Sequence, residues 1–279
     1  FFSSRRRHTR CLRVCGLGDV YKRQQNAQGD SATCATIVNS FVSKNEDLIL
    51  ANATAPLQSA AAATTDIPIL GTSVTDYATA LDISGWSGTT GRNISGTSDL
   101  APLSEQAAML NELFPDAKNV GLLYCSAEAN SQYQIDVIKE ELEKLNYTCT
   151  AYSFVDSNDI ASVVQSAVND NDVLYVPTDN TAASNTEVIN NIAGEAGVPI
   201  IAGEAGICKG CGVATLSISY YDLGYQTGKM AYEILVNGAD PSTMEVEFAP
   251  AVTKQYNPDI CEKLGITVPD DYEALDMSE

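Results

Sequence analysis

From Gln25 onward, short β-branched or aliphatic runs alternate with longer amphipathic segments, a pattern that few architectures satisfy. It is the signature of βαβ units laid on a largely parallel sheet. Strands are expected at 48–50, 68–71, 120–124, 148–153, 173–176, 199–202 and 215–217. Helices are expected at 32–44, 56–64, 104–114, 131–145, 160–167, 186–196, 222–237 and 258–264. Within 160–167, the apolar residues Ile160, Val163, Val164 and Ala167 fall at i, i+3, i+4 and i+7, one stripe to lie on a sheet. The Gly-rich stretch 84–96 breaks the alternation, and a new helix-strand-helix series begins at Ala101. The expected fold class is therefore α/β in two lobes. The first is 25–98 and the second 99–219, with 220–240 returning to the first and 241–279 giving a crossing strand and a tail.

The opening 24 residues differ from the rest. They hold seven Lys or Arg against one acid, Asp19; the run from Phe1 to Arg10 carries neither helical nor strand periodicity, and the apolar core of a signal peptide is missing. This segment resembles translated sequencing-adapter read-through and is set outside the fold as non-native. The functional alternative is a basic arm for an anionic partner. The first lobe then opens on the loop Asn26-Ala27-Gln28-Gly29-Asp30, and is expected to be incomplete, missing a first strand and helix.

Charge excludes some functions. The formal net charge is −20, whereas nucleic-acid binding needs clustered Lys and Arg to displace counterions. No run approaches the roughly 20 consecutive apolar residues of a membrane span. Metal chemistry is also weakly supported: the one His, His8, lies in the opening segment, and Cys208-Lys209-Gly210-Cys211 is a single CxxC without the four ligands of a closed zinc site. Its Gly-rich context, read as a loop near the chain end, does not match a thioredoxin-like motif either. The six cysteines beyond residue 24 allow fifteen full pairings, so connectivity stays open.

Ligands of open α/β sheets bind beyond the carboxyl ends of the strands. The residues there are Asn52 to Pro56, Thr72 to Asp76, Ser126 to Ser131, Thr178 to Asn180, and Gly203-Glu204, with hydroxyls, amides and acids but no Lys, Arg or His. Free N–H groups at a helix start can hold a carboxylate, and Thr54 and Asn130-Ser131 stand where helices begin. Asp179 or Glu204 could pair with an ammonium. Set against this are plain N-capping for Thr54 and Ser131 and an Asx-turn for Asp179. The combination fits an amino-acid zwitterion.

The ordered motifs Glu128-Ala-Asn130-Ser131, Tyr175-Val-Pro-Thr178-Asp179-Asn180 and Ser219-Tyr-Tyr-Asp-Leu-Gly224-Tyr-Gln-Thr-Gly228-Lys-Met-Ala resemble the ABC-transporter substrate-binding proteins of the tryptophan/tyrosine type. Asn26-Ala-Gln-Gly29-Asp30 and Gly91-Arg-Asn-Ile-Ser-Gly-Thr fit as well, and the likeness covers nearly all of 25–270. The resemblance implies a type I periplasmic-binding fold of two Rossmann-like lobes closing on one ligand. It implies an extracytoplasmic, nonenzymatic receptor, without cofactor or metal, that binds tryptophan, tyrosine or phenylalanine. Its partners would be an ABC permease and its ATPase, with membrane attachment only through an N-terminal lipid anchor absent here. Carried over, Thr54, Thr72, Ser73, Asn130, Ser131, Thr178, Asp179 and Glu204 line the cleft. Asp179 would face the ligand's amine, and Asn130 and Ser131 its carboxylate. Two alternatives are a sensor domain of a signalling protein and an enzyme using Glu128, Asp179 or Glu204. Which of Trp86, Tyr77, Tyr124 and Tyr220 would face a ligand is not fixed by sequence.

Overall fold

A computed structural model describes residues 2–6 and 20–277. The chain runs through β1 (Phe2–Arg6), β2 (Val20–Gln24), α1 (Ser31–Ser43), β3 (Leu48–Asn52), α2 (Thr54–Ala63), β4 (Ile69–Val74), α3 (Tyr77–Leu81) and β5 (Ile94–Ser98). It continues with α4 (Leu103–Leu113), β6 (Asn119–Cys125), α5 (Ala129–Lys144), β7 (Thr148–Phe154), α6 (Ile160–Asp170), β8 (Val173–Val176), α7 (Asn180–Ala183), α8 (Thr186–Ala196), β9 (Ile200–Ala202), α9 (Ala205–Cys211) and β10 (Ala214–Ile218). Then come α10 (Tyr220–Tyr232), β11 (Glu247–Phe248), β12 (Val252–Tyr256), α11 (Pro258–Leu264) and β13 (Glu273–Ala274). Two compact units result: one from the residues up to Leu100 with Ser219–Pro250, the other from Ala101–Ile218 with the residues from Ala251 on.

The first unit's sheet has the order β11-β5-β4-β3-β1-β2. The strands β3, β4, β5 and β11 run parallel, while β1 pairs antiparallel with both β3 and β2. The sequence reading set residues 1–24 outside the fold, yet 2–6 and 20–24 form strands. The edge of β3 offers unpaired N–H and C=O groups, and any extended segment can meet them whatever its periodicity. Arg23 adds an ion pair to buried Glu46 at 3.4 Å. One core lies under α1 and α2, around Phe41, Ile49, Leu57, Ile69 and Tyr77. On the other face, Met230, Ala231 and Ile234 of the α10 region pack on Leu48 and Leu70. The expected helix 222–237 changes to a π-helical stretch at Glu233–Asn237.

β5 is absent from the sequence reading, which treats 84–96 as a break. Its residues Ile-Ser-Gly-Thr-Ser are nevertheless all buried. Gly96, at φ +149°, is paired in register with Gly71, and the missing Cβ atoms leave room for the ring of Tyr77. The Tyr77 hydroxyl donates to Thr97 O at 3.2 Å, so this tyrosine belongs to the core.

The second unit's sheet has the order β13-β12-β10-β9-β8-β6-β7, parallel except that β12 runs antiparallel to β10. Its core centres on Leu123, Val164, Leu174, Val176, Ile200 and Ile207. Asp76, Asp179 and Glu204 accept N–H groups at the starts of α3, α7 and α9. Capping, not apolar period, starts these short helices. One expectation is corrected here: Cys208 and Cys211 lie on α9, not in a loop, because Glu204 caps it. Both are buried, free thiols, as are Cys34, Cys125 and Cys261.

Candidate functional site

In the second unit β9, β8 and β6 are neighbours, so the residues following them share one sheet edge. There the structure brings together Asn130, Ser131, Thr178 and Asp179. Asn130 Nδ2 donates to Thr178 O at 3.1 Å. Gln134, buried one turn further along α5, grips the same residue from both sides. Its Oε1 accepts from Thr178 N at 3.0 Å, and its Nε2 donates to Thr178 O and to Asn130 O, each at 3.0 Å. The Thr178 hydroxyl reaches Gly203 O at 3.4 Å, tying the β8 tip to the β9 tip. From α4, Gln106 donates to Gly203 O at 3.2 Å and accepts the buried Tyr175 hydroxyl at 2.5 Å.

Asp179 is only 1 % exposed. Its Oδ1 accepts from Ala182 N at 2.8 Å and its Oδ2 from Cys125 N at 2.7 Å. Burial pushes its carboxyl up to about 6, helped by the nearby Glu128 charge and opposed by those two N–H groups and the Ser131 hydroxyl. Desolvation wins, and no cation among the described residues offsets it. Glu204 gives both oxygens to the start of its own helix, accepting from Gly206 N at 2.8 Å and from Ile207 N. It shares the edge through Gly203 and has no hydrogen bond to Asp179 or Asn130 among the described residues.

Glu128 binds this edge together, a role missed when it was weighed only as an acid or base. Its Oε1 accepts from Thr181 N at 2.9 Å and Thr181 Oγ1 at 2.7 Å. Its Oε2 accepts from Asn180 N at 3.1 Å, Asn180 Nδ2 at 2.7 Å and Asn130 Nδ2 at 3.3 Å. Asp179 and Glu128 thus take the first three N–H groups of α7. Glu128 also stands at the N-cap position of α5, but with its carboxylate on α7 it gives α5 no side-chain cap. Cys125, beside them, is a neutral thiol: burial pushes it up, and its Sγ donates to Val155 O at 3.3 Å.

The first unit holds Thr54, Thr72 and Ser73 at the tips of β3 and β4. Thr54 is buried in the first turn of α2, which has no side-chain cap. Ala53 before it has φ 85° and ψ 166°, a conformation otherwise almost confined to glycine. Ser73, half-buried, also has positive φ, 53°, inside an irregularity of the β4–β5 register between Gly71 and Val74. Such bulges re-aim side chains beside sites. The Thr97 hydroxyl donates to Thr72 Oγ1 at 3.2 Å and lies 2.9 Å from Thr227 Oγ1. Asp99, just past β5, is buried and accepts from the Tyr220 hydroxyl at 3.2 Å. The sequence reading missed Thr97 and Asp99 because it missed β5. Trp86 is 37 % exposed in the loop between α3 and β5.

Known proteins resemble the chain over most of its length. A family model described as ABC transporter substrate binding protein matches residues 12–276. A tyrosine-binding protein of Clostridioides difficile (strain R20291) is 38 % identical over 211 residues, 76 % of this chain and 61 % of that protein. The chain therefore spans about three-fifths of that relative's length. Among solved structures, an ABC domain from Streptococcus pneumonia in complex with L-Trp superposes with a TM-score of 0.85 at 30 % identity, over 90 % of this chain and 88 % of that one. The ligand-free, open structure of a Clostridium difficile substrate-binding protein with adhesive properties superposes with a TM-score of 0.69 at 37 % identity, over 91 % and 86 %.

Proposed function

The chain belongs to the ABC transporter substrate-binding proteins, and on that premise we propose that it binds an amino acid with an aromatic side chain outside the cytoplasm and delivers it to a permease driven by an ATPase. The observation that carries the amino-acid reading is Asp179. It is a desolvated carboxylate at a sheet edge, close to the charge of Glu128, whose raised pKa an incoming ammonium would relieve. The residues just after β3, β4, β5, β6, β8 and β9 include no Lys, Arg or His, so the ligand's carboxylate would be held by N–H groups and hydroxyls. The uncapped first turn of α2 supplies such N–H groups. Thr54, Thr72 and Ser73 of the first unit, and Asn130, Ser131, Thr178, Asp179 and Glu204 of the second, are the proposed binding residues. The aromatic side chain is supported by the tyrosine and L-Trp named for the relatives. No helix among the described residues is long and apolar enough to cross a membrane.

Thermal unfolding tests this. A ligand bound only by the folded chain at a thousand times its Kd stabilises it by about 4 kcal/mol. For tyrosine, tryptophan or phenylalanine that means a Tm higher by several degrees. A chain whose Tm rises with sugars and with no amino acid would refute the proposal.

A further inference from the structure

The neighbours of Asn130 settle the polarity of its amide. Its Nδ2 faces three acceptors: Thr178 O at 3.1 Å, Glu128 Oε2 at 3.3 Å and Ser131 Oγ at 3.4 Å. Turned over, the amide would set Oδ1 against a carbonyl and a carboxylate. As it stands, Oδ1 accepts no hydrogen bond among the described residues and is the group this side chain can offer. Glu128, which enforces the choice, is held in turn by two backbone N–H groups and two side chains of α7. Ser131 is fully buried, and its hydroxyl serves Asp179.

We propose that Glu128 is a positioning residue that keeps the amide oxygen of Asn130 available to the ligand, so that this edge of the second unit selects a protonated amine. The inference rests on the amino-acid reading above and deepens it. An ammonium is a pure donor, and Asn130 Oδ1 with the Asp179 carboxylate gives it acceptors only. A ligand carboxylate would meet those same acceptors and two negative charges. The family resemblance sets Asn130 and Ser131 beside the ligand's carboxylate; the hydrogen bonding favours the amine end.

The test compares each amino acid with its analogue lacking the amine, by titration calorimetry at pH 7.5 on the full chain. The pairs are L-tyrosine with 3-(4-hydroxyphenyl)propionate, and L-tryptophan with 3-(indol-3-yl)propionate. The unsubstituted chain should prefer the amino acid by about 100-fold, as expected for losing a charged hydrogen-bonding partner. Glu128→Gln should cut that preference by about tenfold, because its NH₂ cannot accept from α7 or from Asn130. A merely structural role would weaken both ligands of a pair equally and leave the ratio unmoved, which would overturn the proposal. If Glu128→Gln does not fold, Asn180→Ala decides the matter. It removes one of the groups holding Glu128 and should lower the ratio by a smaller factor; an unchanged ratio again overturns the proposal. An unsubstituted chain that binds none of these amino acids would instead overturn the underlying reading together with this one.

Discussion

Asp179 has opposite consequences for binding and for folding. To hold an ammonium it must be ionised, and in the free protein burial keeps its carboxyl near 6. An arriving cation pulls that value down, so binding below pH 6 must expel a proton. Affinity should be level above pH 7 and fall by about tenfold per unit below pH 6. Folding runs the other way, because the native value lies above the ordinary 3.8. The contribution of this group to stability is full below about pH 4 and is lost as pH rises through 6. Asp179→Asn should abolish the acid limb of binding and weaken affinity at pH 7.5 by roughly 10- to 100-fold. Calorimetry between pH 5 and 8 reads both; an Asp179→Asn chain with the unsubstituted pH profile would remove Asp179 from the site. The groups facing Asp179 were legible as residue types at strand tips. Which atom each one turns outward was not, because that depends on Glu128 reaching α7, a contact across 52 residues.

Elements set by apolar runs were legible, and elements set by hydrogen bonding were not. Strands such as Val173–Val176 show as runs of large, mostly aliphatic side chains, whereas β5, Ile-Ser-Gly-Thr-Ser, is as deeply buried but offers one large apolar side chain. Its Ser and Thr hydroxyls find partners: Ser95 donates to Met244 O at 3.0 Å and Ser98 to Thr75 O at 2.7 Å. Two glycines show what position decides. A Cβ on Gly96 would run into Gly71 O and the Tyr77 hydroxyl. Gly96→Ala should therefore cost roughly 2–3 kcal/mol through overpacking and backbone strain. Gly224, exposed within α10, would place a Cβ against nothing within 4 Å. Gly224→Ala should stabilise by about 0.5–1 kcal/mol, the helix-interior difference between the two residues. Urea unfolding of both variants checks the contrast, and equal effects would count against the packing described around Tyr77.

At the scale of the molecule, sequence distance and charge set the terms. Met230, Ala231 and Ile234 cover Leu48 and Leu70, so the first unit lacks part of its core until the chain is made well past residue 230. The same chain carries 36 acids against 16 Lys or Arg, and seven of those cations lie before Gln25. The ion pairs among the described residues engage few of the acids, for example Lys254 with Glu112 and Asp271, each at 2.9 Å. The excess negative charge repels itself in the compact state and is screened by salt. The Tm of the ligand-free protein should therefore rise between 10 mM and 0.5 M NaCl, as the screening length shrinks from about 30 Å to well under 10 Å. Ligand binding should separate by net charge. A zwitterionic amino acid gains little from the long-range field, so its affinity should stay nearly level over that range. Tyramine, which keeps the amine and lacks the carboxylate, is drawn by the whole negative field and should lose affinity steadily as salt screens it. Calorimetry of tyrosine and tyramine at several salt concentrations measures the difference. Parallel salt slopes for the two would mean that the long-range field does not act on the ligand's net charge, and would refute this account of the acidic excess.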